Sequence, residues 1–331
     1  MAETTEEEGV KGLWKSLAAL AASFVIAGGA VAQNYPNRPI RVIVPFAPGG
    51  STDIIGRIAA TYLQGELAQP VVVENRAGAA GALGTVDVKN ADPDGYTLLI
   101  ATVSTMIVYP ATRVKPDYTL ADFAPITNIA SMPNIVSVSP KFPAKDLKEF
   151  IEVLKKNPDK YTFASSGVGS INHMLGESFQ SYAGVKLTHI PYKGSGPGMT
   201  DVMAGQVDMI FDQFPSTKTF IDGGKLKGIG VISPQRVPGY NIMTMEEAGL
   251  KGFTDEAWYG LLAPGKTPPA IVARLTEAMK KIEANPQFRA QIEKIGARPV
   301  GNSSQEFAAQ IRTEIDHMKK VVQQRNIKLE D

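Results

Sequence analysis

The chain has 331 residues, 44% of them hydrophobic and 20% charged, with a net charge of +1 and no cysteine. That length gives room for two domains of ordinary size. The charge balance argues against a nucleic-acid binder, which shows a basic stripe, and the missing cysteines exclude disulfides, thiol chemistry and thiolate metal sites.

Residues 1–33 read as an export signal. Lys11 and Lys15 precede an apolar run from Leu17 to Ala32, which ends in the small-x-small pattern Ala30-Val31-Ala32. At 16 residues the run is shorter than the ~20 that a membrane span needs. Glu3, Glu6, Glu7 and Glu8 are unusual at the start of a signal, and a short anchor is the alternative. Removing the segment takes away two lysines and four glutamates and moves the net charge from +1 to +3.

Ile40 to Phe46 is an apolar run broken only by Arg41 and predicts a buried strand. Ile54, Ile55, Ile58 and Ala59 then follow helical spacing. Between them lies Ala47-Pro48-Gly49-Gly50-Ser51-Thr52-Asp53, with glycines that permit close approach and three candidate helix caps. A strand, a glycine turn and a helix amino terminus make an anion site. An ordinary strand-to-helix turn has the same local pattern. The chain repeats the device at Tyr161–Ser170, ahead of an amphipathic helix over Ile171–Phe179, so two such turns can face one another across a cleft.

Further strands are expected over Pro70–Glu74 and Thr97–Val103, with a helix from Ala82 to Asn90 between them. Ser104 and Thr105 stand just past the second of these strands. Alternation at this rate predicts parallel pairing with helices on both faces, and ligands bind beyond the carboxyl ends of such strands. Asn134–Ser139 reads as a crossover strand into a second domain, followed by a helix over Asp146–Lys156 capped by Asp146. Strands follow at Lys186–Tyr192, Val207–Phe211 and Leu226–Ser233, with a glycine loop Lys193–Gly198 and a short helix over Met199–Ala204. Ala257–Ala263 reads as the strand that leads back. Helices over Ile271–Ala284, Gln287–Ile295 and Ser304–Gln324 cover the first domain.

No cofactor fingerprint is present. There is no Walker sequence, no GxGxxG after a strand and no GxSxG elbow, and the histidines His173, His189 and His317 lack metal-ligand spacing. His173 is either a ligand contact or a histidine bonded to backbone. Asp212, read as lying just past its strand, is a helix cap or a reader of a ligand amine or hydroxyl. Phe46, Tyr192 and Phe214 are core residues or cleft walls, and Met199, Met203 and Met209 read as core.

Taken together, several stretches resemble one family. They are Tyr35-Pro-Asn-Arg-Pro-Ile40, Val44–Asp53, Val73-Glu-Asn-Arg-Ala-Gly78, Asp92–Leu98, Ser165–Ser170 with His173, Ile190–Gly194, Gly205–Asp208 and Ala263–Pro268. The chain is similar from Tyr35 onward to the substrate-binding proteins of tripartite tricarboxylate transporters, the TctC or Bug (Bordetella uptake gene) family. Ala77 stands where many members have proline, and Gly198 where many have alanine.

The resemblance implies an α/β periplasmic-binding-protein (Venus flytrap) fold, with two doubly wound lobes joined by a hinge of two crossover strands. Residues 34–131 and 258–331 would form lobe 1 and residues 132–257 lobe 2. It implies a periplasmic monomer, without cofactor or metal, that captures a small carboxylate and delivers it to membrane permease subunits. The ligand carboxylate would be held by the two turns, partly through ordered waters. The candidate contacts are Phe46, Ala47, Gly49, Gly50, Ser51, Thr52 and Asp53 in the first turn and Ser165, Ser166, Gly167, Gly169, Ser170 and His173 in the second. Ser104, Tyr192 and Asp212 complete the set. A sensory receptor for a signalling partner and a periplasmic hydrolase using Ser170 or His173 are the alternatives.

Overall fold

The computed structural model describes residues 35–325; the expected export signal lies outside them. Strand β1 (Ile40–Val44) buries every side chain except that of Arg41, which reaches out to pair with Glu74 of β2 (Val71–Asn75) at 2.8 Å. Helix α1 (Ser51–Leu67) lies between them and presses Ile55, Ile58 and Leu63 onto the sheet. Helix α2 (Ala82–Lys89) leads to β3 (Thr97–Thr102). Beyond β3 the chain does not enter a loop. Ser104–Val108 form a π-helical turn that runs into the short helix α3 (Tyr109–Thr112), so Ser104 and Thr105 are buried.

The next strand is longer than the crossover its alternation suggested. Strand β4 spans Phe123–Val138, 16 residues, and includes Pro125 and Pro133. The structure tolerates them because the register shifts beside Pro125, and Pro133 stands where β4 passes from one set of partners to the next. Helix α4 (Leu147–Lys156) starts at Asp146, whose carboxylate accepts from Glu149 N–H at 3.0 Å. Then come β5 (Thr162–Ser165), α5 (Ile171–Ala183), β6 (Thr188–Pro191), α6 (Ser195–Ala204), β7 (Met209–Gln213), α7 (Phe214–Asp222) and β8 (Lys227–Ile232). Strand β9 (Glu256–Pro264) returns. Helices α8 (Pro269–Ala284) and α9 (Pro286–Lys294), the two-residue β10 (Arg298–Pro299) and the long α10 (Ser304–Arg325) close the chain.

The strands form one curled sheet in the order β2-β1-β3-β9-β4-β7-β5-β6, with β8 and β10 also pairing with β4. Pairing is parallel at both ends, among β1, β2 and β3 and among β5, β6 and β7. In the middle it is antiparallel, which the alternation of strands and helices did not disclose. The cause is the crossing itself. Strand β4 pairs with β9 over Phe123–Pro133 and with β7 and β8 over Asn134–Val138, so it belongs to both lobes, and β9 runs back beside it. No described helix is long and apolar enough to cross a membrane.

Three boundaries move in ways that matter for the site. Strand β7 runs to Gln213, so Asp212 lies within the strand. Helix α6 starts at Ser195, because Pro197 fits a first helical turn, so the expected loop is largely helix. Helix α7, which periodicity did not announce, starts at once after β7 with Pro215 in its first turn.

Candidate functional site

Helices α1, α5, α6 and α7 all begin at carboxyl ends of strands and aim their amino termini at the seam between the lobes. The first amides of a helix lack intrahelical acceptors and carry the positive end of its dipole. Two of these ends are satisfied from the opposite lobe. Ser104 Oγ accepts from the Ile171 N–H of α5 at 3.0 Å. Ser51 Oγ accepts from the Ser216 N–H of α7 at 3.0 Å. The main chain also meets across the seam, where Ala47 N–H donates to Lys193 O at 3.0 Å. Two glycines allow that approach: a Cβ at Gly194 would stand 2.8 Å from Ala47 N, and one at Gly196 only 2.2 Å from Pro48 O. The lobes are therefore closed, around a remaining space of ≈ 20 Å³, about what one water occupies.

Of the residues expected to contact a ligand, Phe46, Gly50, Thr52, Ser104 and Ser166 line that space. Asn172, Ser195, Gln213, Trp258 and Tyr259 line it too, and nothing in their local sequence marked them. Three of them belong to a buried polar chain. Tyr259 OH donates to Gln213 Oε1 at 2.8 Å; Gln213 Nε2 donates to Asn172 Oδ1 at 3.2 Å and Asn134 Oδ1 at 3.0 Å. Asn172 Nδ2 donates to Asp212 Oδ1 at 2.9 Å. Burial and the charge of Asp212 push the Tyr259 phenol up, which keeps it a donor. The helix start that places Asn172 was legible, whereas the one at Ser195 was read as loop; the side chains that both turn inward were not.

Asp212 is fully buried and accepts from three side chains: Asn172, Ser195 Oγ at 2.8 Å and Ser216 Oγ at 2.6 Å. Burial raises its pKa, and these hydrogen bonds hold the rise in check. It organises the floor of the site from beneath. Asp53 does the same for the first turn. It accepts from Gly49 N–H, Asn75 Nδ2 and Arg57, and although burial pushes its carboxyl up, those bonds outweigh burial and lower it. Asn75 also donates to Phe46 O at 3.0 Å, which ties the turn to β2.

The second turn rests on a histidine pair. Ser170 caps α5, its Oγ accepting from His173 N–H at 3.2 Å. His173 Nδ1 accepts from Gly169 N–H at 3.2 Å, and its ring stacks on His189 with centroids 3.9 Å apart. His189 Nε2 meets Ser165 Oγ at 2.6 Å. Burial, and then the neighbouring His173, bring the His189 pKa down to about 4. Ser165 is completely buried, and its hydroxyl also bonds both ends of Gly167. Gly167 itself lies against Ala80 of the other lobe. Tyr192 is not at the cleft: its OH donates to Asp201 at 2.6 Å. Among the described residues, no group of three histidines or acids could hold a metal ion.

The family profile described as "Tripartite tricarboxylate transporter family receptor", TctC, matches residues 55–327. This chain belongs to the TctC family. Protein BugT of Bordetella pertussis is 35% identical over 311 residues, 92% of this chain and 94% of BugT. A solved periplasmic transporter superposes with a TM-score of 0.87 at 46% identity, covering 89% of this chain and 100% of that one. Rpa4515 of R. palustris, solved with adipate, gives 0.86 at 30% identity over 89% of this chain and 99% of its own. MatC of Rhodopseudomonas palustris, solved with malate, gives 0.82 at 32% identity over 87% and 100%. Relatives in the TctC family are thus solute receptors, and two of the solved ones hold small carboxylates.

Proposed function

We propose that this TctC-family chain is a periplasmic solute-binding protein that captures a small carboxylate between its lobes and passes it to the permease of a tripartite transporter. The observation that carries this reading is the convergence of four helix amino termini, with serine hydroxyls beside them, on one buried seam. Amide donors, hydroxyls and helix dipoles hold a carboxylate without a cationic side chain. The adipate and malate held by its relatives agree with that chemistry. Residues 1–33 would direct export. Residues 34–131 with 258–331 form one closing unit and residues 132–257 the other, with β4 and β9 as the hinge. The ligand enters when the units part and favours closure only by as much as it binds the closed form better.

Turnover is not part of the proposal. The one close serine–histidine contact near the turns, Ser165 with His189, is buried beneath the loop and lies off the cleft lining. Ser170 and His173 are spent on helix capping and on a backbone amide.

A panel of adipate, malate, citrate, acidic amino acids and aromatic acids tests the reading on residues 34–331. A ligand present at ~100 times its dissociation constant adds about 2.7 kcal/mol of stability and raises the melting temperature accordingly. Of the two tryptophans, Trp14 falls in the export segment, which leaves Trp258 on the cleft wall as the only indole. Its emission should shift with the same ligand, which should be recovered chemically unchanged. A melting shift without any change in Trp258 emission would place binding outside the cleft and overturn the proposal.

A further inference from the structure

A second cavity, of ≈ 450 Å³, opens at the hinge. Gln213 lines the cleft, and the next residue, Phe214, lines this cavity. Its volume falls in the range of small-molecule sites, about 300–1,000 Å³. Its walls come from both lobes. Ala297 stands on the first-lobe side and Phe214 and Val237 on the second, Met132 and Pro133 come from β4 where it crosses between them, and Arg298 and Arg236 face the cavity from the respective lobes. The two sides touch closely: a Cβ at Gly296 would stand 2.4 Å from the Phe214 ring.

The wall's cations are ion-paired, Lys218 with Asp222 at 2.7 Å, Arg236 with Glu247 at 2.8 Å and Arg298 with Glu256 at 3.1 Å, so what draws an anion is unspent N–H donors rather than net charge. Lys218, Arg236 and Arg298 line it against Glu256 and Glu293. Glu256 is engaged by Arg298 at 3.1 Å and by Ser233 at 3.3 Å. A guanidinium has five N–H donors. Arg298 spends only Nη2, on Glu256 and Ser131. Arg236 spends Nε on Glu247 and Nη1 on Asn241 and keeps Nη2. Both side chains are partly exposed, at 69% and 42%, so a ligand carboxylate reaches their remaining donors without unfolding anything.

We infer that this cavity is a second ligand site, for a small monocarboxylic acid with an apolar body. The carboxylate sits at the Arg236–Arg298 rim and the body lies on Pro133, Pro238 and Tyr240, the apolar lining side chains that keep exposed surface. Because the walls belong to different lobes, an occupant binds one hinge angle better than another. The cavity is formed in the closed molecule, so its occupant favours closure and, by reciprocity, tightens the cleft for its own ligand.

Octanoate is the probe, titrated calorimetrically into residues 34–331. The expected result is saturable one-to-one binding that weakens about tenfold in Arg236→Ala and in Arg298→Ala, the usual loss for one charge-assisted hydrogen bond. Both variants should keep the wild-type melting temperature and the wild-type affinity of the cleft for its carboxylate measured without octanoate. Saturating octanoate should lower the dissociation constant of the cleft ligand at least fivefold. Absence of saturable binding, wild-type octanoate affinity in both variants, or displacement of octanoate by the cleft ligand each overturns the site. Binding that leaves cleft affinity unchanged overturns the coupling. Direct binding of octanoate tests this site alone; only the coupling arm draws on the proposed function of the cleft.

Discussion

At the scale of single residues, Asp212 carries the floor of the cleft. It gathers Asn172, Ser195 and Ser216, all of them buried, and its removal takes a charged acceptor from each. An orphaned buried donor costs about 1–3 kcal/mol. Asp212→Ala should therefore lower the unfolding free energy by about 3 kcal/mol in urea titrations, whereas Asp212→Asn, which keeps one acceptor oxygen, should cost clearly less. Equal losses in the two variants would mean that the hydrogen bonds are not the source.

Besides Asp255, which burial raises to about 7, two buried titratable groups shape stability against pH. His189, depressed from 6.5 to about 4 by burial and by His173, is neutral in the folded chain where the unfolded chain already binds a proton. Its contribution to stability is complete above pH 6.5 and is lost as pH drops toward 4. Glu283 is raised from 4.5 to about 8 by burial, with Thr127 opposing through a hydrogen bond at 3.0 Å. The folded chain holds that proton where the unfolded chain has lost it, so stability falls as pH rises from 4.5 to 8. His189→Gln should flatten the acid arm and Glu283→Gln the alkaline arm, each read by denaturation at a series of pH values. An unchanged arm in its own variant would remove that group from the account.

At the scale of elements, the first lobe contributes two hydroxyl caps to the closed state. Ser51 and Ser104 come from the first lobe and cap α7 and α5 of the second. In the open form water can take those amides, so the cost of removing a hydroxyl falls on closure. A helix cap contributes about 1 kcal/mol, about fivefold in affinity. Ser104→Ala and Ser51→Ala should each weaken ligand binding by that factor in calorimetry, with little change in urea stability of the free protein. The double variant should show a larger radius of gyration in solution scattering than the parent at the same sub-saturating ligand concentration. Parent-like affinity and size would show that the caps do not hold the lobes.

These caps also mark how far local sequence reaches. The turns after β1 and β5 were legible because strand, glycine and helix signals follow one another within a few residues. The cap at Asp146 was legible for the same reason. That Ser104 would cap a helix 67 residues away was not, because its partner is chosen by lobe packing. Helix α7 was hidden because its nine residues, Phe214–Asp222, are too few to show a clear helical period. The π-helical turn at Ser104–Val108 was hidden as well: one extra residue per turn leaves no periodic trace in so short a segment.

At the scale of the whole molecule, the sequence alone determined the α/β class, the paired glycine turns and the absence of thiol chemistry. These depend on composition and on patterns a few residues long, and the resemblance of many short stretches to one family extended them to a receptor fold. Only the tertiary structure decided the antiparallel centre of the sheet, where β4 and β9 serve both lobes. It alone brought Tyr259, Gln213, Asn172 and Asp212 into one hydrogen-bonded chain and set a second cavity at the hinge. The reason is physical: a cleft between lobes is made of residues more than a hundred positions apart in places, and side chains that meet only on folding leave no local pattern.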